Sequence, residues 1–209
     1  MKLHLEILPE AQQRVWAELR DIPAQFTLYG GTAIALQLGH RQSIDFDFFS
    51  SEAFDPATLY RRLPLLQNAH ILQQDKNTLT CLLDRGGNVQ ISFFFPPSLK
   101  CLQPTHFITE NGIKIASLLD LAGTKAEVVQ RRAEIKDYLD LDALMTSGIT
   151  LPMAIAAACK IWGERFNPQI TLKALSYFGD GDVATLSEEV KQRIVKAVKS
   201  THLDNLPTL

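Results

Sequence analysis

One segment limits the folds available to this 209-residue chain more than any other. Residues 28–49 read LYGGTAIALQLGHRQSIDFDFF, where an apolar run ends in Gly30-Gly31 and an alternating run follows a compact apolar stretch. Glycines accept the backbone conformations that a tight strand-to-helix turn needs. Alternation of apolar and polar residues is typical of a strand with one buried face. The segment therefore predicts a strand, a Gly-Gly turn, a helix and a second strand in succession.

The second strand carries two carboxylates, Asp45 and Asp47. Residues i and i+2 of a strand share a face, so these side chains lie side by side, about 6.6 Å apart along the chain. We expect Ile44, Phe46 and Phe48 to turn the opposite face toward the core. Two like charges repel unless a cation or a donor neutralises them. The pair suits Mg²⁺ or Mn²⁺, which oxygen ligands bind well; the alternative is a solvated strand face.

The residues before the aspartates are typical of a phosphate site. Gly30 and Gly31 let backbone N–H groups approach a phosphate, and the start of the following helix, with Thr32 as its expected cap, favours negative charge. Two interpretations of His40 and Arg41 are open: they bind phosphate, or they are polar residues that follow the helix end.

The hydrophobic pattern of the chain changes from strand-like to helical near its middle. Short apolar or alternating runs fill residues 26–109, with a hairpin signal at Asp84-Arg-Gly-Gly-Asn88. After Asn111-Gly112 the spacing of apolar residues becomes helical. We predict domains at 1–110 and 111–209. The predicted strands are 26–29, 44–49, 71–73, 78–84 and 89–95; the predicted helices are 32–38, 56–66, 115–129, 134–145, 152–166, 171–177 and 187–200.

Composition excludes several classes of protein. The 46% hydrophobic and 21% charged residues are typical of a globular chain, and a formal net charge of −2 excludes a strongly basic nucleic-acid coat. Cys81, Cys101 and Cys159 are far apart and predict buried, reduced thiols. No stretch resembles a signal peptide or a membrane span. We expect a cytoplasmic protein with no membrane partner.

Charged residues interrupt the apolar pattern of the second half. Lys125 lies in an otherwise apolar helix, so it either reaches out to water or has a partner. Arg132 shares its face if that helix continues. Asp137 and Asp140 lie on one helix face, and Lys136 and Asp140 form an i, i+4 pair of the kind common on surfaces. Periodicity alone favours a salt-bridged helix face.

Several spaced motifs resemble one family. Gly-Gly followed after thirteen residues by Asp-x-Asp is similar to the signature of the polymerase-β-like nucleotidyltransferase superfamily. The run GGTAIAL with His40-Arg41-x-Ser43-x-Asp45-x-Asp47 resembles the AbiEii/AbiGii toxin nucleotidyltransferases of abortive-infection and toxin–antitoxin operons. Residues 120–125 (DLAGTK), Arg132 and residues 136–141 (KDYLDL) resemble a second block of that family, and LSYF with Asp180 and Asp182 resembles a third.

The resemblance implies an α/β (α+β) fold, a nucleotidyltransferase-like mixed sheet with flanking helices, followed by a C-terminal helical bundle that completes the active-site cleft. It implies transfer of a nucleotide from an NTP to an acceptor, with RNA expected, and a cognate antitoxin protein as a partner. Asp45 and Asp47 would hold the metal and act in catalysis with Lys125 and Asp137. The nucleotide and its phosphates would meet the remaining site residues: Gly30, Gly31, Thr32, His40, Arg41, Ser43 and Arg132.

One position departs from the pattern. Such enzymes commonly carry a third carboxylate on a later strand, and the corresponding residue here is Ser92, which cannot ligate a metal as an anion or accept a proton at neutral pH. Three hypotheses remain: an active nucleotidyltransferase, an impaired NTP- or RNA-binding protein of the same fold, and a Mg²⁺-dependent phosphohydrolase or nuclease. Tyr177 and Phe178 are core residues or stack on a base.

Overall fold

A computed structural model describes residues 2–97 and 99–209 of the chain. It has a mixed α+β fold in two compact units. The first unit comprises residues 1–97 and 104–116, and the second comprises residues 98–103 and 117–209.

The first unit is built on a seven-stranded mixed sheet of order β3-β4-β5-β2-β1-β7-β6. β1 pairs antiparallel with β2, and β2 pairs parallel with β5. The strands are β1 (Phe26–Tyr29), β2 (Asp45–Ser50), β3 (His70–Asp75), β4 (Thr78–Asp84), β5 (Asn88–Phe94), β6 (His106–Phe107) and β7 (Lys114–Ile115); the helices are α1 (Glu10–Glu18), α2 (Gly30–Leu38) and α3 (Pro56–Arg62).

Strand alternation explains why this sheet has an apolar core. Phe46 and Phe48 of β2 are fully buried, and Phe93 of β5 stacks on Phe48 with ring centroids 5.6 Å apart. Ile44 is 56% exposed and precedes the strand, so its predicted place in the core was wrong. The aspartates point to the other face, as i and i+2 positions of one strand must.

The second unit is helical. Its helices are α4 (Leu118–Val128), α5 (Ile135–Thr146), α6 (Leu151–Trp162), α7 (Pro168–Ala174) and α8 (Glu188–Ser200). The hydroxyls of Ser117, Thr150 and Ser187 cap α4, α6 and α8, as small hydroxyl residues do at helix starts. Asp142 of α5 and Arg193 of α8 are joined by two hydrogen bonds of 2.6 and 2.8 Å.

Most predicted elements are present, with shifted ends. The hairpin at 84–88 is confirmed, since Asp84 pairs with Asn88. Asp55 caps α3 and accepts the Thr58 N–H at 2.9 Å. Sequence periodicity missed α1, β6 and β7. The predicted helix from Ile115 starts three residues later, because Ile115 belongs to β7.

Candidate active site

The two carboxylates lie on one face in the middle of the sheet. Asp45 and Asp47 are half-buried, while the alternate residues of β2 are buried. In the register of the sheet, Asp47 lies between Tyr29 of β1 and Ser92 of β5, and Asp45 lies beside Gln90. Both aspartates have interaction partners. The structure thus places two hard oxygen donors side by side, which is the ligand chemistry that Mg²⁺ prefers.

The Gly-Gly turn lies directly against this pair. Gly30 has a φ of +71°, a conformation that side chains disfavour. A β-carbon built on Gly30 would be 2.6 Å from Asp47 Oδ2. The antiparallel register of β1 and β2 causes this approach, because it sets the end of β1 beside Asp47. Backbone at the start of α2 therefore borders the carboxylates.

Thr32 is not the helix cap that the sequence predicted. The helix starts at Gly30 rather than Thr32, and its first turn has no side-chain cap. The Thr32 hydroxyl donates to the backbone carbonyl oxygen of Asp45 and lies 2.7 Å from Ser43 Oγ. Thr32 therefore fastens α2 to the residue that begins β2. The helix starts earlier because the glycines, not a capping hydroxyl, supply the turn.

The connection between α2 and β2 contains the other predicted phosphate ligands of this unit. His40 and Arg41 are half-buried there, and one Arg41 guanidinium nitrogen donates to the Gln42 carbonyl oxygen at 2.8 Å. Gln12 of α1 donates to the Ile44 carbonyl oxygen at 3.0 Å. Side chains from α1 and α2 thus hold this connection next to the aspartates.

The strand beside Asp47 has no carboxylate at the expected position. Ser92 is buried, and its hydroxyl oxygen lies 3.4 Å from Thr80 Oγ1 on β4. Asp84 belongs to the hairpin, where it accepts the Gly86 N–H at 3.0 Å. Across residues 2–97 and 99–209, three or more His, Cys, Asp or Glu side chains do not cluster as metal ligands.

The second unit contains a buried charge cluster. Lys125 Nζ lies 2.6 Å from Asp137 Oδ1 and 2.7 Å from Asp140 Oδ2, and the two carboxylates are fully buried. Lys125 therefore does not reach out to water, and the expected surface face of Asp137 and Asp140 is wrong. The helices α4 and α5 pack together here. An ion pair removed from water needs such close partners.

Arg132 joins this cluster from outside the helix. α4 ends at Val128, so the helix does not continue to Arg132, which was the condition for Arg132 to share a helix face with Lys125. The Arg132 Nε nevertheless donates to Asp137 Oδ2 at 2.8 Å, with its side chain 45% exposed. Burial raises the pKa of Asp137, but the charges of Lys125 and Arg132 outweigh it and hold that pKa below its usual range. Lys136 pairs with Glu134 at 3.0 Å, not with Asp140.

Two residues of the DLAGTK block, Asp120 and Gly123, have structural roles that the sequence did not predict. Asp120 is buried and accepts the backbone N–H groups of Leu102 and Gln103 at 2.7 and 3.1 Å. A β-carbon on Gly123 would be 2.7 Å from Ile161 Cδ1, so α4 and α6 approach closely there. The signal was present as a lone acidic residue and a lone glycine in an apolar helix.

The third motif, LSYF with Asp180 and Asp182, follows α7 and contacts α5. Asp182 Oδ1 accepts the Ile135 N–H at 2.8 Å, and Phe178 packs on Tyr138 with ring centroids 6.1 Å apart. Asp180 is exposed, and so is Tyr177, with 59% of its surface accessible. The expectation of a core residue therefore fails for Tyr177.

One protein-family model covers the residues of all three motifs. The model "Nucleotidyl transferase AbiEii toxin, Type IV TA system" matches residues 14–208, nearly the whole chain. The chain belongs to this family. The resemblance seen in its motifs and the predicted fold class are both confirmed.

Individual proteins are similar to this chain in sequence or in fold. The protein aq_aa25 of Aquifex aeolicus (strain VF5) is 32% identical over 191 residues, covering 86% of this chain and 89% of its own. The fold is similar to MenT4, a nucleotidyltransferase toxin of Mycobacterium tuberculosis H37Rv, with a TM-score of 0.61, 11% identity and coverage of 93% and 86%. A crystal structure of a Helicobacter pylori protein also has a similar fold, with a TM-score of 0.56, 15% identity and coverage of 91% of each chain.

Two further predictions concern membranes and thiols. In the described part of the chain, no helix alone has the length and apolarity to cross a membrane. The bent pair Ile135–Thr146 and Leu151–Arg165 has that length and composition only when the two helices are taken together. No disulfide joins the three cysteines. Cys81 is buried, and burial raises its pKa to about 11. Cys101 is exposed, so the prediction of a buried thiol is wrong there.

Proposed function

We propose that this family member is a metal-dependent nucleotidyltransferase that moves a nucleotide from an NTP to an RNA acceptor. The observation that carries the proposal is the contact of Gly30 with Asp47 beside Asp45. It combines a backbone suited to phosphate with a pair of carboxylates suited to a divalent cation. Membership of a nucleotidyltransferase toxin family supports this chemistry.

The donor set fits magnesium. In the proposal, Asp45 and Asp47 hold the ion through oxygen atoms, and Thr32 keeps the start of β2 in place by its bond to the Asp45 carbonyl oxygen. When bound, Mg²⁺ neutralises phosphate charge and stabilises a pyrophosphate leaving group. The protein itself mainly positions reactants in such chemistry.

The phosphates of the NTP are assigned to the start of α2. The backbone of Gly30 and Gly31, with Thr32 in the first turn, provides N–H groups at a helix N-terminus, where negative charge is favoured. His40, Arg41 and Ser43, in the connection that follows α2, are the proposed flanking ligands.

The charge cluster of the helical unit is assigned to the same reaction. Lys125 and Asp137 are buried, so we propose that they act through Arg132, whose half-exposed guanidinium Asp137 orients with two hydrogen bonds of 2.8 and 3.2 Å. A guanidinium held in this way loses little further freedom on binding phosphate. Lys125 offsets the buried charge of Asp137 and Asp140.

Transfer of label tests the proposal. Purified protein is incubated with each α-³²P-NTP, Mg²⁺ and total RNA, and the RNA is resolved by gel. Asp45→Asn and Asp47→Asn should abolish labelling, whereas Asp75→Asn, an exposed aspartate of β3, should retain it. No labelling by the wild type with any NTP, or full labelling by Asp45→Asn, overturns it. Shortened RNA identifies a nuclease instead.

Ser92 supports a second candidate function, an impaired NTP- or RNA-binding protein. A two-carboxylate site can retain a nucleotide without transferring it. A ligand that binds only the folded state raises the melting temperature. A rise with NTP and Mg²⁺ in wild type but not in Asp47→Asn, with no labelled product, would establish this function.

The toxin role is a separate part of the proposal, supported by the family description. Induced expression should arrest bacterial growth, and Asp45→Asn should not. Co-expression of a neighbouring gene that restores growth would identify the antitoxin. Unchanged growth with an active enzyme would overturn the toxin role while leaving the transferase function intact.

A further inference from the structure

A cleft in the helical unit shares only Arg132 with the residues to which a role has been assigned so far. It has a volume of about 350 Å³ and opens between the segment that follows α4 and the helix α7. Its lining includes two of the large apolar side chains that the structure leaves exposed, Ile170 and Tyr177, at 45% and 59%. Exposed apolar groups gathered in one concave site indicate a binding surface.

Hydrogen bonds join the segments that form the walls of the cleft. Gln130 donates to the Asn167 carbonyl oxygen at 2.9 Å and to Thr171 Oγ1 at 2.8 Å. The Thr171 hydroxyl donates to the Ala126 carbonyl oxygen at 2.7 Å. On the other side, Asp182 accepts the Ile135 N–H. The two walls are therefore linked before any ligand arrives, which lowers the cost of ordering on binding.

Tyr177 has a defined position in this cleft. A β-carbon on Gly179 would be 2.5 Å from the Tyr177 hydroxyl oxygen and 2.6 Å from its Cζ. The phenol end of the ring therefore rests on Gly179, while most of the side chain remains accessible. A supported, exposed aromatic ring is a platform on which a nucleobase can stack.

The charge of the lining favours an anionic ligand. Arg131, Arg132 and Lys173 carry three positive charges, against one negative charge from Asp180. Arg131 pairs with Glu127 and Arg132 with Asp137, whereas Lys173 makes no ion pair among the described residues. Ile170 and Lys173 are spaced i, i+3 along α7, and Tyr177, which follows the end of that helix, lines the same cleft.

We infer that this cleft binds one nucleotide of a single-stranded RNA, with the base on Tyr177 and Ile170 and the phosphodiester at Lys173. The volume suits one nucleotide rather than a peptide helix. A single uncompensated cation matches the single charge of a phosphodiester, whereas a triphosphate needs several cations or a metal. The inference rests on the proposed function for its identification of the strand as the acceptor.

Direct binding tests the inference independently of catalysis. The probe is a fluorescein-labelled ten-nucleotide single-stranded RNA, measured by anisotropy in low salt, with Asp45→Asn protein so that no transfer occurs. Tyr177→Ala should weaken RNA binding about tenfold, the order expected for loss of one stacked base. Tyr177→Phe should bind as the parent does. Phe107→Ala, which removes another exposed aromatic side chain, is the matched control.

Two further variants test position and charge. Gly179→Ala should displace the Tyr177 ring and weaken RNA binding several-fold with little change in melting temperature, because the ring end can move. Lys173→Gln should weaken binding and reduce its salt dependence by about one phosphate contact. Lys196→Gln, on the exposed side of α8, should do neither.

The outcomes separate the inference from the proposed function. RNA binding that depends on Tyr177, together with a wild type that transfers no nucleotide from any NTP, supports the cleft and overturns the transferase proposal. Equal RNA affinity of Tyr177→Ala and Phe107→Ala overturns the cleft even when transfer occurs. Loss of ATP binding in Tyr177→Ala with RNA binding intact would also overturn it, because the cleft would then hold the NTP base.

Discussion

The backbone of Gly30 packs against the Asp47 carboxylate, so closely that a β-carbon there would be 2.6 Å from Oδ2. The contact explains why the Gly-Gly turn and the Asp-x-Asp strand occur together, since β1 and β2 pair antiparallel and bring the two ends together. The glycine provides both the φ of +71° and the space. The backbone of the Gly-Gly turn and the Asp47 carboxylate are thus direct neighbours.

Substitution of Gly30 should therefore disturb the position of Asp47 as well as the conformation of the turn. Gly30→Ala combines an unfavourable φ, which costs about 1–2 kcal/mol, with the displacement of Asp47. Gly112→Ala is the control, because Gly112 has a φ of +74° and open space around its Cα. Chemical denaturation should show similar backbone costs in both variants, and RNA labelling should be lost only in Gly30→Ala. Equal labelling in both would contradict the contact's importance.

Strands β1 to β5 and the aspartate pair were predictable because they depend on local patterns. Strand alternation and the Gly-Gly turn are visible within 22 residues. The Lys125 cluster was not, because its partners follow twelve and fifteen residues later on a different helix. Sequence periodicity sees the spacing of charges within one helix, so it favoured a surface pair. Only the packing of α4 on α5 decides that the carboxylates are buried.

Lys125 should be essential for folding stability. Lys125→Met keeps the length of the side chain but leaves Asp137 and Asp140 buried with one fewer cation. Removing one partner of a buried ion pair typically costs about 3–5 kcal/mol. Lys196→Met, on the exposed side of α8, should change the free energy of unfolding by less than about 0.5 kcal/mol. Urea denaturation at pH 7 measures both. A loss under 1 kcal/mol for Lys125→Met would contradict the burial of the cluster.

The low pKa of Asp137 predicts a pH dependence with a definite sign. Lys125 and Arg132 lower this pKa in the folded state, so the ionised carboxylate stabilises the protein above its unfolded pKa of about 3.9. That stabilisation decreases as the pH falls through the lower folded pKa. The difference in free energy of unfolding between wild type and Asp137→Asn should therefore be largest near neutral pH and shrink below about pH 4. A difference that stays constant from pH 7 to pH 3 would contradict this.

Substitution of Ser92 by aspartate should add a third metal ligand, because residue 92 of β5 is the direct neighbour of Asp47 of β2. Ser92→Asp places a third carboxylate in a buried position next to another, so without metal the melting temperature should fall. Mg²⁺ should restore more of that loss than it changes in wild type, because a cation that binds the folded state relieves the repulsion.

The matched control is Ser92→Asn, which has nearly the same shape and no charge. Thermal unfolding with and without Mg²⁺ compares the two variants, and the RNA labelling assay runs alongside. A larger Mg²⁺-dependent shift in Ser92→Asp than in Ser92→Asn would place the third ligand within reach of Asp47. Equal shifts would show that the side chain of residue 92 does not reach the metal, which would exclude this position of β5 as the source of a third ligand.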